Sequence, residues 1–532
     1  MTTESAARSA VDPVTRKVLG IDAFLRRVSP HSELAVQRWQ QLAHAEFESV
    51  DAVEAQLKRL RDLDQRLSPA LLQRLGDDLC ALPPLKRTLR RLDASQTLRD
   101  ADFFEVKRFL YHSSALLEAA DGLDDLPGAD SSTVERFRDA MATLHPDHAG
   151  STRFHLADEL DEELADRRNE LRRLRSDLRR RRNELETAIV DDLGGRFDIH
   201  GRYHPDDGPV DDDRLRIYDG YPVVDDRRLN ALTQRVDELH EQVRDQEHRQ
   251  RRRLTGVVKT LREDIERVRS QLAQFDLRAS RTQLRRHIDG CWPQLCDHLP
   301  WMALESGRLP SLLRASGVDE VQPIDVALRR PGAVVLGPNM GGKSALLKLV
   351  GLASWCAAMA MPIPAQSCGA ARMERIVYVG SEAAGSAEPT DGLSSFGREI
   401  RRFTRFWDAE GTTLWLLDEP CRGTHPEEGT RLAAAIINRL IERGDRVVVA
   451  THFPGLADRI DATRLRVAGL DADTEQLAMA LEEARLEGRP LHEPLRAMMD
   501  YRVVEDPNGQ VPRDGWRIAR ALGLEIPEDD VH

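Results

Sequence analysis

The sequence predicts a multidomain protein of the α + α/β class, in which a helical first part precedes an α/β domain. Two observations support this prediction. From about residue 20 to residue 290, apolar residues recur at helical spacing. From about residue 321 onward, short apolar runs end in glycine or polar residues and alternate with helical segments, which is typical of parallel strands joined by crossover helices.

Composition limits the classes of function. The chain has 532 residues, enough for several domains, and its 31% charged and 5% aromatic residues suit a soluble protein rich in long helices. The formal net charge is -13, so the molecule as a whole repels polyanions. Any nucleic-acid contact would therefore need a local basic surface.

Targeting and redox signals are weak. Residues 1–20 contain no apolar core or cleavage pattern and are expected to form a flexible leader, not a secretory signal. The apolar stretch from Leu349 to Ala365 contains Pro362 and Pro364 and is expected to be a buried helix with the chain that follows it, not a membrane span. The close pair Cys291 and Cys296 lacks zinc-ligand spacing, so reduced thiols in a cytoplasmic protein are expected.

Residues 21–150 are predicted to be a helical core domain, and residues 151–290 an arm. Two apolar seams with 3-4 spacing run through the arm, and they most simply pair as an antiparallel coiled coil. Arg167 and Arg181 interrupt the first seam. The seam residues are Leu156, Leu160, Leu164, Leu171, Leu174, Leu178, Leu185 and Ile189, then Leu229, Leu232, Val236, Leu239 and Val243, then Leu254, Leu261, Ile265, Val268, Leu272 and Phe275.

Between the seams, residues 191–227 are rich in glycine, proline and aspartate. The runs RLRIY and YPVV predict short strands, and hence a small β-containing tip on the arm. The tip contains eleven Asp and five Arg, a net charge of -6.

The α/β part contains a complete phosphate-binding motif directly after the apolar run Ala333 to Leu336. The glycines let backbone N–H groups face phosphates at a helix N-terminus. Lys343 is expected to reach the β- and γ-phosphates, and the Ser344 hydroxyl to ligate Mg²⁺. The match to G-x-x-x-x-G-K-[ST] comprises Gly337, Pro338, Asn339, Met340, Gly341, Gly342, Lys343 and Ser344.

Two further apolar runs end in reactive side chains. The run ending in Asp418 and Glu419 has the Walker B pattern, in which Asp418 would hold Mg²⁺ through water and Glu419 would polarise the attacking water. Another run ends in Thr451 and His452, and His452 is assigned as a γ-phosphate sensor. The alternatives are two acids that simply end a strand and a structural histidine.

Together, GPNMGGKS, LLDEPCRGTHPEEG and ATHF resemble the ATPase domain of the MutS family. VQPIDVAL is similar to the family's segment before the P-loop, and Ser394-Ser395-Phe396-Gly-Arg-Glu399 resembles its Ser-Thr-Phe-x-x-Glu signature. An ABC-type ATPase would show Ser-Gly-Gly-Gln instead. The DEP sequence is ABC-like, but the Arg422-Gly423-Thr424 that follows is weighed more heavily.

The resemblance implies a P-loop ATPase domain of ABC/MutS type over residues 300–475, with ATP and Mg²⁺ as cofactors. It implies that Ser394 and Ser395 bind nucleotide in trans, in the partner subunit's site. The segment GWRIARALGL is similar to the family's closing segment, so residues 476–532 are expected to be a helical dimerisation segment of a homodimer. The order of core, lever arm and ATPase is also that of the family.

Two departures bear on the substrate. Phe103-Phe104-Glu105 superficially offers the family's mismatch-reading Phe-x-Glu, but Val106 and Phe109 continue its apolar helical face, which indicates core packing. The acidic tip is also unlike a clamp that grips phosphates. The arginine-rich runs LRRLRSDLRRRRNEL and EHRQRRRL are either a DNA contact or a solvated coiled-coil face.

Two functions remain open at this point. The first, which is the broader family's role, is an ATP-gated dimeric clamp in mismatch repair-type transactions on duplex or branched DNA. The second is an ATP-driven remodeller of a partner enzyme, resembling the ATPase component of the reactivating factor of a B12-dependent aminomutase such as lysine 5,6-aminomutase. A purely structural coiled-coil protein does not explain a complete set of ATPase motifs.

Overall fold

The computed structural model describes residues 10–42, 49–120, 131–146, 150–296, 299–310, 322–337, 342–380, 394–506 and 514–522. The chain forms two compact units. The sheet unit comprises Met1–His31, Ala35–Leu72 and Phe275–His532. The helical unit comprises Ser32–Leu34 and Gln73–Gln274. The finer division of the chain into five segments stays a prediction.

The described residues form α-helices throughout the chain. In chain order they are α1 Pro13–Val18, α2 Ile21–Leu25, α3 Glu33–Leu42, α4 Val50–Arg66, α5 Pro69–Ala81, α6 Lys86–Asp93, α7 Asp100–Ala119, α8 Ser131–Leu144, α9 Glu162–Leu193, α10 Arg227–Thr260, α11 Arg262–His287, α12 Lys343–Ala358, α13 Ser395–Phe406, α14 Pro426–Glu442, α15 Pro454–Ala457, α16 Thr474–Leu486, α17 His492–Ala497 and α18 Asp514–Ala521.

The strands of the described residues form two two-stranded sheets and two larger sheets. They are β1 Arg196–Phe197, β2 Tyr203–His204, β3 Leu215–Tyr218, β4 Tyr221–Val224, β5 Gln294–Leu295, β6 Met302–Gly307, β7 Ile324–Leu328, β8 Gly332–Leu336, β9 Ser367–Ala370, β10 Arg375–Val379, β11 Thr413–Asp418, β12 Arg446–Ala450, β13 Ala462–Leu470 and β14 Met499–Glu505. The sheet unit contains a four-stranded sheet of order β5-β9-β6-β7. Its central, six-stranded sheet has the order β10-β11-β12-β8-β13-β14.

The central sheet is covered on both faces. Its strands run parallel except β14, which is antiparallel to β13. Successive residues of a strand point to opposite faces, so Val335 and Val448 pack in the core that includes α12, whereas Val334 and Val447 pack in the core that includes α13 and α14. Burial on both faces explains why these strands are continuous apolar runs. The mixed α/β class is confirmed.

Helix α12 begins at Lys343 and is buried over almost its whole length, including Leu347, Trp355 and Cys356. This burial confirms that the apolar stretch after residue 349 belongs to a core helix. None of the helices among the described residues has the length and apolarity that a membrane span requires.

Residues 10–18 pack against the outer edge of β10, in contrast to the flexible leader expected up to residue 20. Val11 forms a parallel bridge with Ile376, and the Ile376 N–H donates to the Ala10 carbonyl at 2.9 Å. Asp12, which is buried, caps α1 by accepting the N–H groups of Val14 and Thr15. A buried cap and a strand bridge order this segment from residue 10 on.

The closing segment is not wholly helical, which corrects the expectation for residues 476–532. Residues 499–505 form β14, which pairs with β13 in the register Leu465 to Glu505 and Leu470 to Met499. The second half of β13 has backbone groups available for pairing at the edge of the sheet. The run MDYRVVE contains the β-branched and aromatic residues that favour a strand, and it pairs there. Residues Asp514–Ala521, which include most of GWRIARALGL, form α18.

In the helical unit, the Phe103 side chain is fully buried and its ring lies 5.0 Å from that of Phe154. Val106 and Phe109 continue the same buried face of α7. Phe104, the next residue, is 40% exposed. The core-packing interpretation of Phe103-Phe104-Glu105 is confirmed for Phe103.

Helices α9 and α10 lie side by side and run antiparallel, as ion pairs between them show. Arg168 pairs with Glu247 at 2.7 Å, and Arg181 pairs with Asp226 at 3.2 Å. Leu171, Val236 and Leu239 are among the buried residues of the two helices. The pairing of two long helices is therefore observed, whereas coiled-coil packing and a lever role stay predictions.

The segment between these helices forms two small hairpins. β1 pairs with β2, and β3 pairs with β4, both antiparallel, so the strands predicted from RLRIY and YPVV are confirmed. Ile199 is 96% exposed and Tyr218 is 75% exposed. The tip therefore presents apolar side chains together with its acidic ones.

Candidate functional site

The motif residues meet at the carboxyl edge of the central sheet. Strand β12 lies between β8 and β11, with Asp418 opposite Ala450 and Ala450 opposite Val335. Because parallel strands end at the same edge, the loops that follow β8, β11 and β12 lie next to one another. The phosphate-binding loop, the Asp418-Glu419 pair and His452 thus share one edge.

The described part of the phosphate-binding loop consists of Gly337, Gly342, Lys343 and Ser344. Gly342 has a φ of +87°, and a Cβ there would lie 2.9 Å from Tyr501 Cδ1, so both backbone and space require glycine. The predicted loop residues Pro338, Asn339, Met340 and Gly341 lie outside the described residues.

Lys343 is the first residue of α12, and its ammonium group is buried. Its Nζ donates to the Gly337 carbonyl at 2.8 Å, across the loop. Burial lowers the pKa of Lys343 below its ordinary value, and the charges of Glu419 and Asp418 act in the opposite direction. A buried cation facing two carboxylates at a helix N-terminus suits an incoming anion.

Asp418 ends β11 with its carboxylate held by a neighbouring strand. The Tyr378 hydroxyl, on β10, donates to Asp418 Oδ2 at 2.8 Å. A Cβ on Gly380 would lie 2.8 Å from the Asp418 Cβ, so the end of β10 fits closely around this aspartate. One carboxylate oxygen is thereby fixed in direction.

Glu419 occupies a strained backbone position, with a φ of +53°. For a residue other than glycine this conformation costs about 1 kcal/mol or more. The Glu419 N–H donates to the Ala450 carbonyl at 2.9 Å, at the end of the adjacent strand. Its Oε2 accepts from Arg422 at 2.7 Å, and its Oε1 lies 3.4 Å from His452 Nδ1. The structure thus brings His452 beside the predicted catalytic carboxylate.

The signature residues begin α13. The Ser394 hydroxyl accepts the Gly397 N–H at 3.1 Å and caps the helix. A Cβ on Gly423 would lie 3.0 Å from the Phe396 Cβ and 3.3 Å from the Ser395 Oγ. Ser394 and Ser395 are exposed, and in the part of the chain that the structure describes neither donates or accepts a hydrogen bond with the motif residues of the same edge.

Glu399 links α13 to the turn after β11. Its Oε1 accepts the Cys421 N–H at 2.8 Å. Burial raises the pKa of Glu399 above its ordinary value, and burial followed by the Glu399 charge raises the pKa of the Cys421 thiol to about 12. Cys421 is therefore a protonated, structural side chain at neutral pH.

Arg402, one turn further along α13, joins three elements. It donates to the Tyr378 carbonyl at 2.5 Å and to Asp12 Oδ2 and Thr15 Oγ1 at 2.8 Å each. The Thr15 hydroxyl also accepts the Tyr378 N–H at 2.9 Å. The strand residue that holds Asp418 is therefore fixed by the signature helix and by the N-terminal helix together.

Sequence reasoning missed these supporting residues. Glu399 and Arg422 stood inside quoted motifs, so their position in the motif was an available signal. No sequence signal marked Tyr378 or Arg402. Tyr378 lies in an ordinary apolar strand, and its partners Thr15 and Arg402 are distant from it in sequence.

The donor set suits a nucleotide-bound Mg²⁺. Over the described ranges, no group of three or more His, Cys, Asp or Glu side chains is placed to hold a metal ion by itself. A nucleotide-bound Mg²⁺ keeps several waters and takes only one or two protein ligands besides phosphate oxygens. Two such protein ligands are available here. Ser344, at the start of α12, offers a hydroxyl, and Asp418, at the end of β11, offers a carboxylate.

The part of the chain that carries this site is similar to known proteins. Residues 333–487 match the family model described as MutS domain V. The endonuclease MutS2 of Thermomicrobium roseum is 28% identical over 480 residues, which cover 85% of this chain and 54% of that protein. The endonuclease MutS2 of Solidesulfovibrio magneticus is 32% identical over 233 residues, 43% of this chain and 29% of that protein. The endonuclease MutS2 of Symbiobacterium thermophilum is 33% identical over 210 residues, 39% of this chain and 26% of that protein. The chain thus spans about half of the Thermomicrobium relative and under a third of the other two.

Proposed function

Because the chain belongs to the MutS family, we propose that it binds and hydrolyses ATP and works as a dimeric ATP-gated switch or clamp on duplex or branched DNA. The observation that carries the proposal is the convergence at one sheet edge of Lys343 and the two carboxylates Asp418 and Glu419. A buried cation, a metal-holding carboxylate and a base are the parts that phosphoryl transfer to water requires.

In this proposal each residue has a defined task. Lys343 stabilises negative charge on the β- and γ-phosphates. Ser344 and Asp418 would hold Mg²⁺, which when bound would neutralise charge on the phosphates. Glu419 orients the attacking water and accepts its proton. His452, whose Nδ1 lies 3.4 Å from Glu419 Oε1, would respond to the γ-phosphate.

Dimerisation would complete each nucleotide site. Ser394 and Ser395 are exposed at the N-terminal end of α13, and in the described part of the chain neither forms a hydrogen bond with Lys343, Asp418, Glu419 or His452. Exposed hydroxyls and N–H groups at a helix N-terminus suit phosphate oxygens. We propose that they meet the nucleotide held by the partner subunit, so that ATP joins two ATPase units and hydrolysis releases them.

The arginines of α9 and α10 support DNA as the substrate. Arg175 and Arg179 are exposed on α9, and Arg252 and Arg253 are exposed on α10. Within the described residues, none of the four forms an ion pair, whereas Arg168 and Arg181 do. Arg175 and Arg179 are four residues apart and therefore share a helix face. Unpaired arginines at this spacing suit contacts with successive phosphates.

The tip favours a second candidate, ATP-driven remodelling of a partner enzyme. Its net charge of -6 repels phosphate. Ile199, Ile217 and Tyr218 are 96%, 63% and 75% exposed there. Exposed apolar residues within an acidic surface are typical of a protein contact.

Binding and hydrolysis across a salt series separate the two candidates. ATPase rate and gel-shift binding would be measured with homoduplex, mismatched and four-way DNA. A DNA enzyme shows affinity that falls steeply as salt rises, and its ATPase is stimulated by DNA. Absence of binding even at low salt would eliminate DNA as the substrate and favour the partner enzyme.

Two variants test the ATPase assignment itself. Lys343→Ala should abolish nucleotide binding, because the cation facing the phosphates is lost. Glu419→Gln should retain binding but trap the ATP-bound dimer, since the amide cannot accept the proton. A Glu419→Gln protein that hydrolyses ATP at the wild-type rate would overturn the assignment of the base.

A further inference from the structure

The turn that carries Glu419 has an unusual backbone. Glu419 has a φ of +53° and Cys421 a φ of +60°, with Pro420 between them. Two left-handed residues other than glycine within three positions form a strained turn that its surroundings must hold. The Glu419 N–H is bonded to the Ala450 carbonyl, which fixes the first residue to the sheet.

The second half of the turn depends on Glu399. Pro420 has no N–H, so the first backbone donor after Glu419 is that of Cys421. This N–H donates to Glu399 Oε1 at 2.8 Å. Cys421 is buried, so this N–H needs an acceptor from the protein, and Glu399 supplies it.

Glu399 is itself held in place. It lies in the first half of α13, a helix that Ser394 caps. Arg402, on the same helix, donates to Tyr378 and Asp12. Gly423 also packs directly against Phe396, so a methyl group added at Gly423 would force one of the two segments to shift. The N-terminal half of α13 and the turn after β11 therefore fit together closely.

We propose that Glu399 is a positioning residue: by accepting the Cys421 N–H, it holds the Glu419 carboxylate in its productive place and makes the signature helix and the base of one chain move together. The inference rests on the proposed function. It assigns to the closing glutamate of the signature a role within its own chain, separate from the contact of Ser394 and Ser395 with the partner's nucleotide.

Three substitutions at this position separate geometry from charge. Glu399→Gln loses the charge but keeps an oxygen acceptor at the same reach. Glu399→Asp keeps the charge but is one methylene shorter, and Glu399→Ala loses both. The control is Glu442→Ala, which removes an exposed glutamate at the end of α14 whose partner is Arg439 on the same helix.

Steady-state ATPase kinetics and binding of a fluorescent ATP analogue would be measured for each protein, with thermal unfolding to check folding. Glu399→Ala and Glu399→Asp should lower kcat by roughly 10- to 100-fold, since a small displacement of a catalytic group is enough. Their analogue Kd should stay within about twofold of the wild-type value. Glu399→Gln and Glu442→Ala should keep kcat within about threefold of it.

The opposite results are equally clear. An unchanged kcat in folded Glu399→Asp or Glu399→Ala overturns the inference while leaving the proposed function intact. A Glu399→Gln protein as impaired as Glu399→Asp also overturns it, because an oxygen acceptor at the same reach would then not be enough to hold the turn. A wild-type protein without ATPase activity overturns the proposed function first, and the inference with it.

Discussion

The Tyr378 hydroxyl donates to Asp418 Oδ2 at 2.8 Å, so a strand residue absent from every recognised motif orients the carboxylate assigned to Mg²⁺. Tyr378 is fully buried, and its backbone is bonded on both sides, to Thr15 and to Arg402. Its hydroxyl therefore has little freedom to choose another acceptor. Partners that orient a metal ligand in this way affect metal affinity strongly.

Tyr378→Phe should therefore raise the Mg²⁺ concentration required for half-maximal ATPase activity by roughly 10-fold. ATPase rates would be titrated with Mg²⁺ at saturating ATP. Tyr218→Phe, which changes an exposed tyrosine of the tip, is the matched control. Identical Mg²⁺ curves for Tyr378→Phe and the wild type would show that the hydroxyl does not orient a metal ligand.

Gly423→Ala should separate the signature helix from the turn after β11. The added methyl group would meet the Phe396 Cβ at 3.0 Å and the Ser395 Oγ at 3.3 Å, so α13 must shift by a few tenths of an ångström. We expect kcat to fall by roughly 10-fold with little change in stability. Gly455→Ala, where a methyl group meets nothing within 4 Å, should keep the wild-type kcat. A Gly423→Ala enzyme with full activity would contradict this tight fit.

Lys107 should make stability depend on pH in the alkaline range. Its ammonium group is buried in α7 and donates to the Arg153 carbonyl at 2.9 Å. Burial lowers its pKa from 10.5 to about 8, so between these values the unfolded chain binds more protons than the folded chain. Its contribution to stability should rise with pH from about 8 to 10.5 and stay constant and unfavourable below about 8.

Urea unfolding of the wild type and of Lys107→Met, measured from pH 7 to pH 10.5, tests this prediction. The stability difference between the two proteins should move in favour of the wild type as pH rises, because Met has no proton to lose. A difference that stays constant across this range would mean that Lys107 has the same pKa folded and unfolded.

Arg175 and Arg179 should contribute to DNA affinity through phosphates. Replacing both by Gln should weaken binding of every DNA sequence alike and should reduce the slope of log K against log salt by about 2. Gel-shift titrations across a salt series would measure it. Arg180→Gln, which removes an arginine already paired with Asp177, is the control on the same helix. An unchanged slope in the double variant would mean that these arginines contact no phosphates and only form a solvated helix face.

The α/β class and the strands that carry the motifs could be predicted from the sequence. Gly337, Asp418 and His452 stand at or just after the ends of short apolar runs, and parallel strands end at one edge of a sheet. The tip strands were predictable for a similar reason, because RLRIY and YPVV combine β-branched and aromatic residues between turn residues.

What could not be predicted depends on distant contacts. Asp12 is an N-cap, but nothing local indicates that Arg402 also binds it. β14 was missed because its run borders helical, charged sequence, and only the open edge of β13 makes it a strand. The link between Glu399 and Cys421 is likewise absent from the sequence pattern, because it arises where a helix packs on a turn.

The contacts of the N-terminal segment also bear on the solubility of the protein. Strand β10 is one of the two edge strands of the central sheet, and edge strands can recruit strands from other molecules. Here the Ile376 N–H is bonded to Ala10, the Tyr378 N–H to Thr15, and the Tyr378 carbonyl to Arg402. Residues 10–15 thus occupy hydrogen-bonding groups of β10 that would otherwise be free to pair with a strand of another molecule. Deleting these residues should expose this edge and make the protein aggregate.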